Sequence, residues 1–139
     1  MEIRKCSVQD ARKLAVLNRR LIEDEQSDNP MGPDELENRM REFLSGSYTA
    51  YFFEDGGTAV GYALVRQDVK PLYLRQFYID RDFRRKHYGR DAFHALMTLL
   101  GTKEITVDVL PWNRAGLAFW RSLGFSETFV SMKYTKADS

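Results

Sequence analysis

With one cysteine, two histidines, four prolines and no surplus of either charge, this 139-residue chain excludes several classes of protein before any motif is read. Cys6 alone cannot close an internal disulfide. It stands just ahead of an apolar helical pattern, which suits a buried thiol in a reducing, cytoplasmic compartment. Lysine and arginine number 21 against 20 aspartates and glutamates, so no global field draws the chain to nucleic acid or to an anionic membrane, and any basic patch is local. No stretch approaches the roughly 20 apolar residues of a membrane span, and the opening Met1-Glu2-Ile3-Arg4-Lys5-Cys6 carries no apolar run. His87 and His94 lie about two helical turns apart, but no cysteines or carboxylates complete a coordination shell, so no metal site is expected. Repeats, linkers and low-complexity stretches are missing too. The expectation is one domain over residues 1–139, long enough for a real core and too short for two.

What is present reads as alternating elements. A short strand over Glu2 to Lys5 precedes Ser7-Val8-Gln9-Asp10, which has the form of a capping box, and Ala11, Leu14, Leu17 and Leu21 follow at helical spacing. The polar, acidic run 23–30 reads as a connection. Gly32-Pro33 then starts a second helix, with Leu36, Met40, Phe43 and Leu44 on its apolar face, stopped by Ser45-Gly46. Runs 48–53 and 58–65, rich in aromatic and β-branched residues, flank Glu54-Asp55-Gly56-Gly57, whose glycines accept the positive φ of a tight hairpin. Leu72 to Ile79 alternates as a further strand. From Gly89 the spacing is helical, through Ala92, Phe93, Leu96, Leu99 and Leu100 to Gly101. A strand over 104–109, a helix capped by Asn113 and a last strand over 129–134 complete the order β-α-α-β-β-β-α-β-α-β. The strand-helix-strand unit makes Leu72 to Ile79 and 104–109 parallel neighbours in a mixed sheet, an α/β arrangement of the α+β mixed-sheet kind.

The junction between Ile79 and the helix from Gly89 holds the most chemistry. A helix start offers unpaired N–H groups and partial positive charge, Arg84, Arg85, Lys86 and Arg90 add full charges, and Gly89 lets backbone approach a bulky phosphate. On charge alone the segment is equally a solvated basic turn.

The chain here resembles the GCN5-related N-acetyltransferase (GNAT) superfamily. Its coenzyme A loop follows Arg or Gln, two residues, Gly, one residue, Gly or Ala; Arg84-Arg85-Lys86-His87-Tyr88-Gly89 matches except that His87 replaces the first glycine. The resemblance covers nearly the whole chain, because the element order is also that family's. It implies a GNAT-like acyl-CoA N-acyltransferase fold with acetyl-CoA as acyl donor. Phe77, Tyr78 and Ile79 would then present strand amides to the acetyl-pantetheine arm, while Arg84, Arg85, Lys86, His87, Tyr88, Gly89 and Arg90 hold the pyrophosphate. Asn113-Arg114-Ala115-Gly116-Leu117-Ala118-Phe119-Trp120, with Leu123-Gly124-Phe125, looks like the helix beside the thiol end of the cofactor, adding Asn113 and Trp120 to the binding set.

The implied reaction is direct attack of a neutral amine on the thioester, helped by orientation and by amides that polarise the carbonyl. Many relatives carry a Glu or His base where this chain has Tyr73 and Arg75, and a tyrosine acid where it has Trp120, whose indole gives up no proton. Tyr73, Tyr78 and Asp108 are therefore the catalytic candidates, with water as an alternative proton carrier. Glu23 and Arg75 are the acceptor-binding candidates, for a cationic amine and a carboxylate respectively. The expected partner is a small-molecule, amino-acid or peptide amine. A catalytically weak acyl-CoA-binding regulatory module of the same fold is the alternative function. A nucleic-acid role for the basic loop is disfavoured by the neutral balance. The last strand either ends within the monomer or pairs with the edge of a second copy as a homodimer.

Overall fold

Gly56 and Gly57 adopt φ of 58° and 82°, and that left-handed turn folds β2 (Tyr48–Asp55) back on β3 (Thr58–Arg66). A computed structural model describes residues 1–138, apart from the side chains of Arg85 and Lys86. Along the chain β1 (Glu2–Lys5) is followed by α1 (Ala11–Asp24), α2 (Pro33–Ser45), β2, β3, β4 (Leu72–Ile79), α3 (Tyr88–Leu100), β5 (Ile105–Thr106) and α4 (Arg114–Ser122). Short 3-10 turns over Val8–Asp10 and Arg81–Lys86 precede α1 and α3. The sheet runs β1-β2-β3-β4-β5, antiparallel through β4 and parallel between β4 and β5. The mixed α/β architecture is the expected one.

Two differences concern the end of the sheet. The strand expected over 104–109 pairs only at Leu72↔Ile105 and Tyr73↔Thr106. Beyond that point side chains rather than backbones meet, with Tyr73 Oη donating to Asp108 Oδ2 at 2.8 Å. The last strand expected over 129–134 does not form. Phe129, Met132 and Tyr134 are 80–90% exposed, because a two-residue β5 offers no edge long enough for a ladder.

The helices cover opposite faces. Leu14 and Leu17 of α1 and Met40 of α2 pack on Phe52, Tyr62, Leu64 and Tyr78. Ala92, Phe93 and Leu96 of α3 pack on Phe53, Ala63, Val65, Leu74 and Ile79 on the other side. Burying each large apolar side chain contributes about 1.5–3 kcal/mol before entropy is counted. Cys6 lies in the first of these cores, where burial foremost pushes its thiol pKa up to about 12. The Ser7–Asp10 capping box forms as the sequence suggests.

One irregularity shapes the functional end. Leu64 pairs with Gln76 but Val65 with Leu74, so Arg75 is the extra residue of a β-bulge. The bulge turns Arg75 and Gln76 to the same face: Arg75 stacks on Phe43 of α2, and Gln76 Oε1 accepts from Tyr62 Oη at 2.8 Å.

Candidate active site

Alternation along β4 fixes where its backbone points. The Asp80 N–H donates to the Val60 carbonyl at 2.8 Å, so the amides of Asp80 and Tyr78 face β3, and those of Phe77 and Ile79 face the opposite edge. Among the described residues β5 takes up that edge only at Leu72 and Tyr73. The Phe77 and Ile79 N–H groups therefore open into the gap between β4 and the 107–113 segment. The outward carbonyl of Ile79 accepts from Arg84 Nε at 2.9 Å.

The gap ends at the start of α3. His87 precedes the helix in left-handed conformation, φ 60° and ψ 19°, and its side chain makes no cap hydrogen bond to the first amides. The position where His87 replaces the family's first glycine demands the backbone that glycine adopts most readily, and a histidine holds it. In α4, by contrast, Asn113 Oδ1 caps its own helix by accepting from Gly116 N–H at 3.0 Å. Gly89 has no positive φ. A Cβ there would sit 3.0 Å from Cε1 of Phe119, so the space left by its missing side chain admits an α4 ring. Phe119 stacks on Phe77 at 5.9 Å, while Trp120 lies 5.3 Å from Phe77, 5.8 Å from Phe93 and 5.0 Å from Phe125. Trp120 is thus part of an apolar wall beside the gap.

The basic loop is tied to the end of α1. Arg84 donates to Asp24 and lies 5.5 Å over the Tyr78 ring; Arg81 Nε donates to the same carboxylate at 3.1 Å. Arg20 pairs with Asp80 at 2.8 Å. Glu23, expected to face an acceptor, is drawn toward Arg19 and Arg81, at 3.6 and 3.7 Å. Tyr88 donates to Asp55 and Arg90 to the Ser122 carbonyl at 3.4 Å. The side chains of Arg85 and Lys86 lie outside the described residues.

Of the three catalytic candidates, Tyr73 and Asp108 are brought together. Burial and Asp108 raise the Tyr73 phenol pKa, so it stays protonated and donating. Tyr78 points instead under α1, toward Asp80, Asp24, Arg84 and Arg20, with its hydroxyl buried and without a partner among the described residues; burial raises its pKa. Arg75 reaches along the α1/α2 face, 4.8 Å from the Phe43 centroid, and donates from Nη1 to Tyr48 Oη at 3.3 Å.

Several residues here were not singled out from the sequence. Asn18, 1% exposed, accepts from Arg39 Nη2 at 2.9 Å. Glu25 is half-buried, and burial, then Asp24, raises its pKa. Trp112 Nε1 donates to the Glu25 and Gln26 carbonyls at 3.2 and 3.3 Å, joining the α1–α2 connection to the 107–113 segment. Asn18 and Gln76 were readable as polar residues on apolar faces. Trp112 carries no local signal, since its partners lie more than 80 positions away.

A mixed sheet that parts beside an uncapped helix start defines an acyltransferase class of fold, and the chain belongs to the acetyltransferase (GNAT) family, whose sequence model matches residues 16–125. Solved structures share the fold at low identity. A possible acetyltransferase from Clostridium difficile 630 is 17% identical, with TM-score 0.79, over 99% of this chain and 98% of that one. The aminoglycoside N-acetyltransferase AAC(6')-Iy in complex with CoA is 20% identical, with TM-score 0.74, over 97% and 93%. An aminoglycoside acetyltransferase from an uncultured soil metagenomic sample, in complex with sisomicin, is 19% identical, with TM-score 0.70, over 98% and 96%. No curated protein matches the chain. Among the described residues no group of histidine, cysteine, aspartate or glutamate could hold a metal, and no helix is long and apolar enough to cross a membrane.

Proposed function

We propose that this chain acts as one domain, residues 1–139, that moves the acetyl group of acetyl-CoA to a primary amine by direct attack on the thioester. The observation that carries the reading is the open edge of β4, where the Phe77 and Ile79 amides face outward beside an uncapped α3. Two unpaired donors fit the amide-bearing arm of the cofactor, and free helix-start amides with Arg84 and Arg90 fit its diphosphate. Acetyl-CoA supplies the activated carbonyl. The Phe77 and Ile79 N–H groups orient the arm, and Trp120 with Phe119 keeps water from the reacting end. Asp108 serves as the proton acceptor for the attacking amine, directly or through one water, with Tyr73 fixing its carboxylate. Tyr78 supports the cofactor loop by lying under Arg84, and proton return to the leaving thiolate falls to water.

The test pairs two measurements. Acetyl-CoA should raise the unfolding temperature where free adenosine and unrelated anions do not, and thiol release should appear with some member of a panel of amines, amino acids, polyamines and peptides. The indole at Trp120, in place of a phenol, favours a second reading as a catalytically weak acyl-CoA-binding regulatory module. Binding without turnover on any amine would select it.

A further inference from the structure

Two arginines share one aromatic ring on the acceptor side of β4. The Arg75 and Arg39 guanidiniums lie 4.8 and 5.5 Å from the centroid of Phe43, which packs against Tyr48 at 4.8 Å. Among the described residues neither takes part in an ion pair. Arg39 spends Nη2 on Asn18, and its Nε is buried with no partner. Arg75 has one contact at 3.3 Å to Tyr48. Arg12, Arg19, Arg20, Arg81 and Arg84 each meet a carboxylate, whereas Arg39 and Arg75 are two cations brought to one ring without an anion. Their mutual repulsion, after burial, lowers the Arg39 pKa, and an oxyanion between them would relieve it.

The geometry points to a carboxylate-binding subsite formed by Arg75 and Arg39, so that the acceptor is an amine that also carries a carboxylate, as amino acids do. This rests on the transfer reading above and specifies its substrate class. Guanidinium forks match the two oxygens of a carboxylate, and stacking on Phe43 takes up their faces while leaving edges to donate. The β4 bulge turns Arg75 to the face that carries Phe43 and Arg39. Arg75 precedes Phe77 by two residues, so its guanidinium is carried by the same strand whose outward amides would orient the acyl arm. Tyr73 and Asp108 border the same strand face, where the amine would lose its proton.

The experiment uses N-acetyl-L-amino acids and their carboxamides, titrated into the CoA-loaded protein and its R75Q variant, with thiol-release kinetics on the matching free amino acids and amino-acid amides. Wild type should favour the carboxylate member of at least one pair by tenfold or more, in binding and in KM rather than kcat. In R75Q the ratio should fall to about one, and R75K, which keeps charge but loses the fork, should fall between. Carboxylate preference in binding without any thiol release leaves this subsite standing and overturns the transfer reading. Thiol release with no preference in any pair, or no preference in binding across the panel, overturns the subsite. A ratio unchanged in R75Q does so as well.

Discussion

Gly61→Ala tests how β3 supports the site. A Cβ at Gly61 would lie 2.1 Å from the Tyr78 carbonyl oxygen and 3.1 Å from Ile79 Cα, both backbone atoms of β4. Carbon–oxygen contacts settle at about 3.3–3.6 Å, so the two strands would have to part by roughly 1.2 Å. That stretches at least two ladder hydrogen bonds out of range at about 1–1.5 kcal/mol each, and repacking of α1 adds to it, giving a loss of about 3 kcal/mol. A chain of 139 residues unfolds with an entropy of about 0.3 kcal/mol/K, so the melting temperature should drop by roughly 10 °C. The shift also carries the Phe77 and Ile79 amides with it. Below the melting transition, acetyl transfer by G61A should therefore fall by about a hundredfold, the scale expected for 1 Å of misplacement. Thermal unfolding by circular dichroism and thiol-release kinetics on the folded fraction would measure both. A melting point within 2 °C of wild type, or full activity in the folded fraction, would refute the close approach of β3 to β4 at Gly61.

Other substitutions probe separate links. His87→Gly removes a left-handed non-glycine residue worth about 1–2 kcal/mol, offset by glycine's greater unfolded-state freedom, so it should raise the melting point by roughly 2–3 °C; H87A should not. Arg84→Ala should weaken acetyl-CoA binding by about 1.5–3 kcal/mol by calorimetry, and unchanged affinity would remove Arg84 from the cradle. Glu25 has a raised pKa in the fold, so between its ordinary value and that raised one the native state holds more protons than the unfolded state, and stability falls as pH climbs. E25Q should lack that fall, and parallel melting curves against pH for the two proteins would contradict burial of the carboxyl.

Local chemistry made most of the fold readable. The Ser7–Asp10 box, the glycine pair at 56 and 57, and the Asn113 cap each act within a few residues, and each appears where its sequence pattern puts it. Leu72–Ile79 follows from alternation alone. The failures come from needs that alternation does not express. The 129–134 segment has strand-like spacing but no neighbouring edge to pair with, and 104–109 diverges from β4 after two residues. Candidate site residues divide in the same way. Tyr73 and Asp108, 35 positions apart, were picked separately for their chemistry, and only the parallel crossover joins them. Tyr78 was placed correctly on the strand, but which way its ring faces depends on the bulge at Arg75, invisible in a run of eight unbroken strand residues. Asp24 sits in a polar, acidic run that reads as a connection, and its partners, Arg81 and Arg84, lie beyond three strands, out of reach of any local pattern.

That carboxylate has a consequence for how ionic strength acts on the protein. A diphosphate that engages Arg84 must compete with an anion already in place, so part of its attraction is spent on dissolving an existing contact. Added electrolyte screens both partners of the exchange. Coenzyme affinity should accordingly decline less steeply with salt than the number of arginines and lysines around the loop suggests, and Asp24→Asn should steepen that decline.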